Sequence, residues 1–210
     1  IIDACLRFTQ YDKAIEVYNE MKENKISISS ISCGIVIKAF GMEGDVDGAM
    51  KIYYQMKKDK IPISQVTYGC LINACVKNNN LNKAFELYEN IKKENIEMNT
   101  VLYTTLIKAY SIKNNLYKVS EIFTSMKNSI TYKPNNITYN CLIDCCIKCD
   151  KINRAYDFYN EMMQAINDSS ENSIRPDIVT FSTLIKSEIN KKNFGNARKL
   201  MQKLLELKIY

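Results

Sequence analysis

Apolar residues return along this chain at the period of a helix, and the helices they predict come in pairs. In the stretch 136–163, Tyr139, Leu142, Ile143 and Cys146 fall at i, i+3, i+4 and i+7, one face of a 3.6-residue helix. After a short polar turn, Ile152, Ala155, Phe158, Tyr159 and Met162 form a second such face. Neither helix can bury its stripe alone, and a lone pair of this size offers too little core to be stable. The unit therefore predicts stacked copies of itself.

The small residue that opens each second helix marks those copies: Ala14, Ala49, Ala84, Val119, Ala155 and Ala197, at spacings of 35, 35, 35, 36 and 42. An aromatic follows four residues later at Tyr18, Tyr53, Tyr88, Phe123 and Tyr159, with Met201 in the last copy. A third column holds Met21, Met56, Ile91, Met126, Met162 and Leu204. A fixed period of this length is the mark of a solenoid, in which each repeat touches only its neighbours. The expected fold class is all-α, a right-handed superhelical α-solenoid of helix-turn-helix repeats. Its expected divisions are 1–29 (partial), 30–64, 65–99, 100–135, 136–177 and 178–210, the last truncated at its end. The 42-residue spacing comes from a polar insertion at 164–173, read as a loop. Ser29, Ser64, Asn99, Asn135 and Asp177 precede the first helices and are expected N-caps, as is Asp45 for a second helix.

Composition adds limits. Apolar residues make up 46 % of 210, with three prolines, six glycines and no apolar run long enough for a membrane span. The chain opens within a helix and has no recognisable leader, so it reads as a segment whose targeting sequence lies outside it. Eight cysteines occur with no histidine. Cys141, Cys145, Cys146 and Cys149 crowd one helix instead of forming two ligand pairs around a loop, so no metal site is expected. The same repeat position holds Cys5, Cys75 and Cys146, and another holds Cys70 and Cys141, so the thiols read as small core side chains in a reducing compartment. No phosphate-binding glycine loop and no nucleophile with a base is evident, so neither enzyme activity nor a cofactor is expected.

Beside its apolar face each first helix carries a second stripe, small and polar at its front and with one cation per repeat: Arg7, Lys38, Lys77, Lys108, Lys148 and Lys186. A net charge of +6 decides nothing, but six cations at two equivalent helix positions suggest a phosphate track for a single-stranded nucleic acid.

The front segments ITYNCLI (137–143), VTYGCLI (66–72), VLYTTLI (101–107) and VTFSTLI (179–185), with the endings KPN (133–135) and RPD (175–177), resemble the pentatricopeptide repeat over essentially the whole chain. The first three endings lack the proline, Cys33 stands where the aromatic belongs, and Glu188 replaces an apolar residue. The tetratricopeptide repeat fits less well. It wants a small residue where this chain has Ile2, Ile37, Ile72, Ile107, Ile143 and Ile185.

The resemblance implies single-stranded RNA as partner, read one base per repeat. It implies the reading pairs Gly34 with Ser64, Gly69 with Asn99, Thr104 with Asn135 and Asn140 with Asp177, and Ser182 without a partner. Ile31, Val66, Val101, Ile137 and Val179 would pack against the bases. Thr104 with Asn135 implies adenine, and Asn140 with Asp177 uracil; the glycine pairs imply little discrimination. A mitochondrial or plastid location, and roles in RNA stabilisation, processing or translation, follow from the same resemblance. A protein-interaction solenoid, as a ribosome or complex subunit, is the alternative, with possible protein partners and no membrane.

Overall fold

The computed structural model describes residues 2–165 and 174–209. Among them are twelve α-helices and no strand. They are α1 (Ile2–Arg7), α2 (Tyr11–Glu23), α3 (Ser30–Glu43), α4 (Val46–Lys58), α5 (Gln65–Lys77), α6 (Leu81–Lys93), α7 (Thr100–Ile112), α8 (Leu116–Asn128), α9 (Asn136–Lys148), α10 (Ile152–Gln164), α11 (Ile178–Asn190) and α12 (Phe194–Glu206). The expected hairpins are all present, with ends shifted by a residue or two. Gln164 closes α10, and the rest of the expected polar insertion, beyond Ala165, lies outside the described residues.

The chain forms two compact units, Ile1–Ala109 and Tyr110–Tyr210, with the boundary inside α7. In the first unit α1, α3 and α5 pack in succession, α2 also meets α3, and α4 meets α5. In the second, α9 packs on α11 and α8 on α9. First helices thus stack on first helices, and the second helices α2, α4 and α8 wedge against the next repeat, which is the packing of an all-α helical-repeat solenoid.

The sequence columns become the core. The opening column Ala14, Ala49, Ala84, Val119, Ala155 and Ala197 is buried throughout. The isoleucine column is buried at Ile2, Ile37, Ile72, Ile107 and Ile143, filling space that the tetratricopeptide pattern would keep small. Aromatic rings then join repeats: Tyr53 meets Tyr68 at 5.8 Å between centroids, Phe123 meets Tyr139 at 5.5 Å and Tyr159 meets Phe181 at 5.6 Å, all edge-on. Glu188, which departs from the apolar pattern, is buried as well. It accepts a hydrogen bond from Tyr156 Oη at 2.9 Å, so the carboxylate has a polar partner where the pattern has a methyl group.

Each hairpin turn needs one residue in the left-handed region. Gly44 supplies it between α3 and α4 at φ +85°, and Asn79, Asn114 and Asp150 supply it in later repeats. Asparagine and aspartate tolerate that region better than other residues with a Cβ. The chain then closes each turn with a backbone bond to a carbonyl five residues back, as from Asp45 N to Phe40 O at 2.9 Å and Asn80 N to Cys75 O at 2.7 Å.

Candidate functional site

The front of every first helix is set by its cap. Ser29 accepts from Ser32 N at 3.1 Å, Ser64 from Thr67 N at 3.2 Å, Asn99 from Leu102 N at 2.9 Å, Asn135 from Thr138 N at 3.0 Å and Asp177 from Thr180 N at 2.9 Å. All five expected caps form, and Asp45 caps α4 by accepting from Gly48 N at 2.7 Å. A cap fixes the register of its helix, so the residue two places on is aimed the same way in each repeat. Those residues are Ile31, Val66, Val101, Ile137 and Val179, and they are exposed, from 52 % at Val179 to 76 % at Ile31. Five aliphatic side chains left in water at one repeat position mark a surface kept for contact.

In the first unit two slots open beside them. One, of ≈ 500 Å³, lies between Ile31 and Val66 and is walled by Gly34, Ser64, Arg7 and Lys38. The next, of ≈ 340 Å³, lies between Val66 and Val101 and is walled by Gly69, Asn99, Lys38 and Lys77. Each slot thus brings together two of the expected packing residues, one expected reading pair and two of the expected cations. Neither glycine is demanded by a crowded neighbour: a Cβ at Gly34 would sit 3.5 Å from Thr67 Oγ1, and one at Gly69 would meet nothing within 4 Å. Met42 and Asn73, on the same stripe as the glycines and lysines, line this slot as well; Gln65 and Cys70 are lining residues that no sequence pattern marked for it. Gln65 Oε1 is buried there without a hydrogen-bond partner among the described residues.

Thr104, also in the first unit, turns its hydroxyl back to Thr100 O at 2.8 Å. In the second unit Asn135 shares a capping box with Thr138. Asn140 and Asp177 are joined directly: Asn140 Nδ2 donates to Asp177 Oδ1 at 3.0 Å and to Oδ2 at 3.1 Å. Thr180 completes the cluster, its hydroxyl 2.6 Å from Asn140 Oδ1 and 3.0 Å from Asp177 Oδ1. The sequence reading missed Thr180, although its place three residues after the cap is a signal for such a contact. Ser182 is exposed on α11.

The cations divide. Lys38, Lys108 and Lys186 are exposed with no ion pair among the described residues, and Lys77 Nζ lies 3.3 Å from Met42 Sδ. Arg7 and Lys148, also expected on the phosphate track, are held in ion pairs within their own helices. Arg7 pairs with Asp3 at 2.9 Å and Lys148 with Asp144 at 2.6 Å, each one helical turn away. No disulfide forms among the described residues, but only Cys33, Cys75, Cys145 and Cys146 are buried; Cys5, Cys70, Cys141 and Cys149 are half-buried at the edges of the core, so the purely interior reading holds for half of them. Burial pushes the thiols of Cys75 and Cys146 up to about 11 and that of Cys145 up to about 12, which leaves them poor nucleophiles near neutrality. No cluster of three metal-ligating side chains occurs among the described residues, and none of their helices is long and apolar enough to cross a membrane.

A family model described as the pentacotripeptide-repeat region of PRORP matches residues 36–173, more than half of the chain. The chain belongs to the pentatricopeptide repeat family. A single-repeat model of that family also matches residues 1–26, the partial first repeat. Among solved structures, the pentatricopeptide repeat protein PPR10 from maize superposes with a TM-score of 0.69 at 17 % identity, over 99 % of this chain and 33 % of that one. PPR10 in complex with an 18-nt psaJ RNA element gives 0.64 at 17 % identity, over 98 % of this chain and 27 % of that one. The PPR domain of Arabidopsis thaliana protein-only RNase P 1, in complex with tRNA, gives 0.67 at 18 % identity, over 83 % of this chain and 88 % of that domain. The chain therefore spans about a third of PPR10, and at these identities the likeness is one of fold. No curated protein sequence matches the chain.

Proposed function

We propose that this pentatricopeptide repeat chain binds single-stranded RNA, one base per repeat, and acts as a binding module without catalysis of its own. The observation that carries the reading is the pair of adjacent slots in the first unit, each with an exposed aliphatic on both sides, a reading pair and two cations on its walls. An unstacked base is flat and apolar on its faces, polar at its edge and attached to an anionic backbone, so it calls for those three kinds of wall. A duplex cannot present single bases in this way. PPR10 and the Arabidopsis RNase P domain are described in complex with RNA, and both share the fold, which supports the same partner class here.

Base preference differs between the repeats in this reading. At the slots of Gly34 and Gly69 no side chain from the first helix reaches a base edge, so discrimination is weak. Asn140 with Asp177, both in the second unit, favours uracil, by the family's association of residues with bases. The double variant Asn140→Thr, Asp177→Asn keeps a good N-cap on α11 and is expected to shift preference at that base from uracil toward adenine. Binding panels of RNAs that differ at one position measure this, and an unchanged preference rejects the assignment.

Fluorescence anisotropy with a short randomised RNA, the matching DNA and a duplex, each titrated across salt, tests the function itself. RNA-selective binding is expected, with log affinity falling against log salt at a slope of about 2 or more, since Lys38, Lys77 and Lys108 each contribute about 0.7. Flat or absent binding, with a protein co-purifying tightly, would instead make the chain a protein-interaction solenoid. Roles in transcript stabilisation, processing or translation in a mitochondrion or plastid belong to the family reading. PRORP2 of A. thaliana, which shares the fold, is named as nuclear, so imaging of the tagged full-length protein assigns the compartment.

A further inference from the structure

One repeat lacks a ring that its neighbour uses as a keystone. In α5, Tyr68 lies edge-on to Tyr53, with its hydroxyl 3.3 Å from Tyr53 Oη, and donates to Glu94 Oε2 at 2.8 Å. Lys57 pairs with Glu94 at 2.8 Å and Asn90 Nδ2 donates to Tyr53 Oη at 3.3 Å. Thirty-five residues earlier the surrounding groups recur as Tyr18, Lys22, Gln55 and Asp59, but Cys33 stands in the place of Tyr68.

The space is left open. A cavity of ≈ 200 Å³ is walled by Tyr18, Lys22, Cys33, Gln55, Met56 and Asp59, and it shares no residue with the slots described above. Tyr18 is only 3 % exposed, and its hydroxyl, with no hydrogen-bond partner among the described residues, opens on this cavity. Its two counterpart partners are both lost: Cys33 carries no hydroxyl, and Gln55 Nε2 donates to Asp59 Oδ2 at 2.7 Å. Burial, then Cys33 and Asp59, push the Tyr18 phenol up to about 12, so it stays protonated and can both donate and accept.

We propose that this cavity is a binding site for a small free phenol. The ring would take the place of the absent tyrosine, edge-on to Tyr18, with its hydroxyl between Tyr18 Oη and the Asp59 carboxylate. The size fits, because an apolar cavity of about 150 Å³ already accepts benzene. The polar end selects a phenol over a plain arene, since only a hydroxyl can pair with the Tyr18 Oη that opens on the cavity. This site does not depend on the RNA-binding reading.

The test is titration of the full chain with p-cresol and with toluene. At tenfold over Kd, p-cresol is expected to raise Tm by on the order of 3 °C, toluene by much less, and Tyr18→Phe to remove the difference between them. Cys33→Tyr fills the site with the protein's own ring, so it is expected to raise Tm without ligand and to abolish the response to p-cresol. Direct contact is read on the unmodified chain, as nuclear Overhauser effects from the p-cresol ring to the methyl groups of Met56 and of Ile28 and Ile61, which also line the cavity. Absence of those effects, equal binding of toluene, or an undiminished p-cresol response in Cys33→Tyr would each overturn the proposal. N-acetyltyrosinamide binding as tightly as p-cresol would replace a free phenol by a tyrosyl side chain.

Discussion

A chain carrying Lys38→Gln, Lys77→Gln and Lys108→Gln is expected to bind single-stranded RNA about a hundredfold more weakly at 0.1 M salt, with a salt slope smaller by about 2. Each single-strand phosphate contact releases about 0.7 of a counterion, so each contributes roughly 0.7 decades of affinity at that salt. These three are the lysines to remove because none has a carboxylate partner to lose, so the change falls on the bound state alone. The control removes the same charge elsewhere in the first unit, with Lys51→Gln, Lys58→Gln and Lys93→Gln on second helices. All three are exposed there. If both triple variants weaken binding equally, the effect is one of net charge, and the argument from position is lost.

The second large effect is on stability. Gly41→Leu is expected to destabilise the chain by about 3 kcal/mol, at the upper end of the usual range for overpacking a tight site. A Cβ built at Gly41 lies 2.5 Å from Ala74 Cβ and 3.2 Å from Ala74 Cα, so any side chain there pushes α3 off α5. No rotamer relieves this, because both obstructing atoms are fixed to the α5 backbone. Gly41→Ala alone regains about 1 kcal/mol of helix propensity and still loses on balance. Combined with Ala74→Gly, which returns the space, it is expected to cost less than the two single changes summed. Urea unfolding of the four chains of that cycle measures the coupling, and strict additivity would show that the two helices do not touch through this pair.

These two predictions rest on different levels of information. The lysines were legible from spacing alone: a repeat of 35 residues puts equivalent positions on equivalent faces, whatever the tertiary detail. The same holds for the caps at Ser64 and Asp177, whose short oxygen-bearing side chains act within their own first turn, and for the exposed column at Val66 and Val101, fixed two residues after the cap. Gly41 was silent in the sequence, where it looked like an ordinary small residue. Its role depends on Ala74, on another helix 33 positions away, and no local pattern encodes that distance.

The site divides in the same way. The sequence placed Arg7 and Lys148 in the same column as Lys77, but only side-chain geometry showed that Asp3 and Asp144 already hold them. It paired Asn140 with Asp177 through a family resemblance, and the structure added Thr180, whose hydroxyl joins both. Cys33 was visible as a missing aromatic, but the consequences, a cavity and an unpartnered Tyr18 hydroxyl, come from a second helix and a neighbouring repeat.

The sequence by itself determined the repeat, its helices, its caps and the columns that become core or stripe, because those follow from hydrogen bonding and periodicity within about 35 residues. The tertiary structure decided which cations are left unpaired, which glycine is a packing necessity, and where stacked repeats leave space, because these depend on atoms from separate helices meeting within a few ångströms.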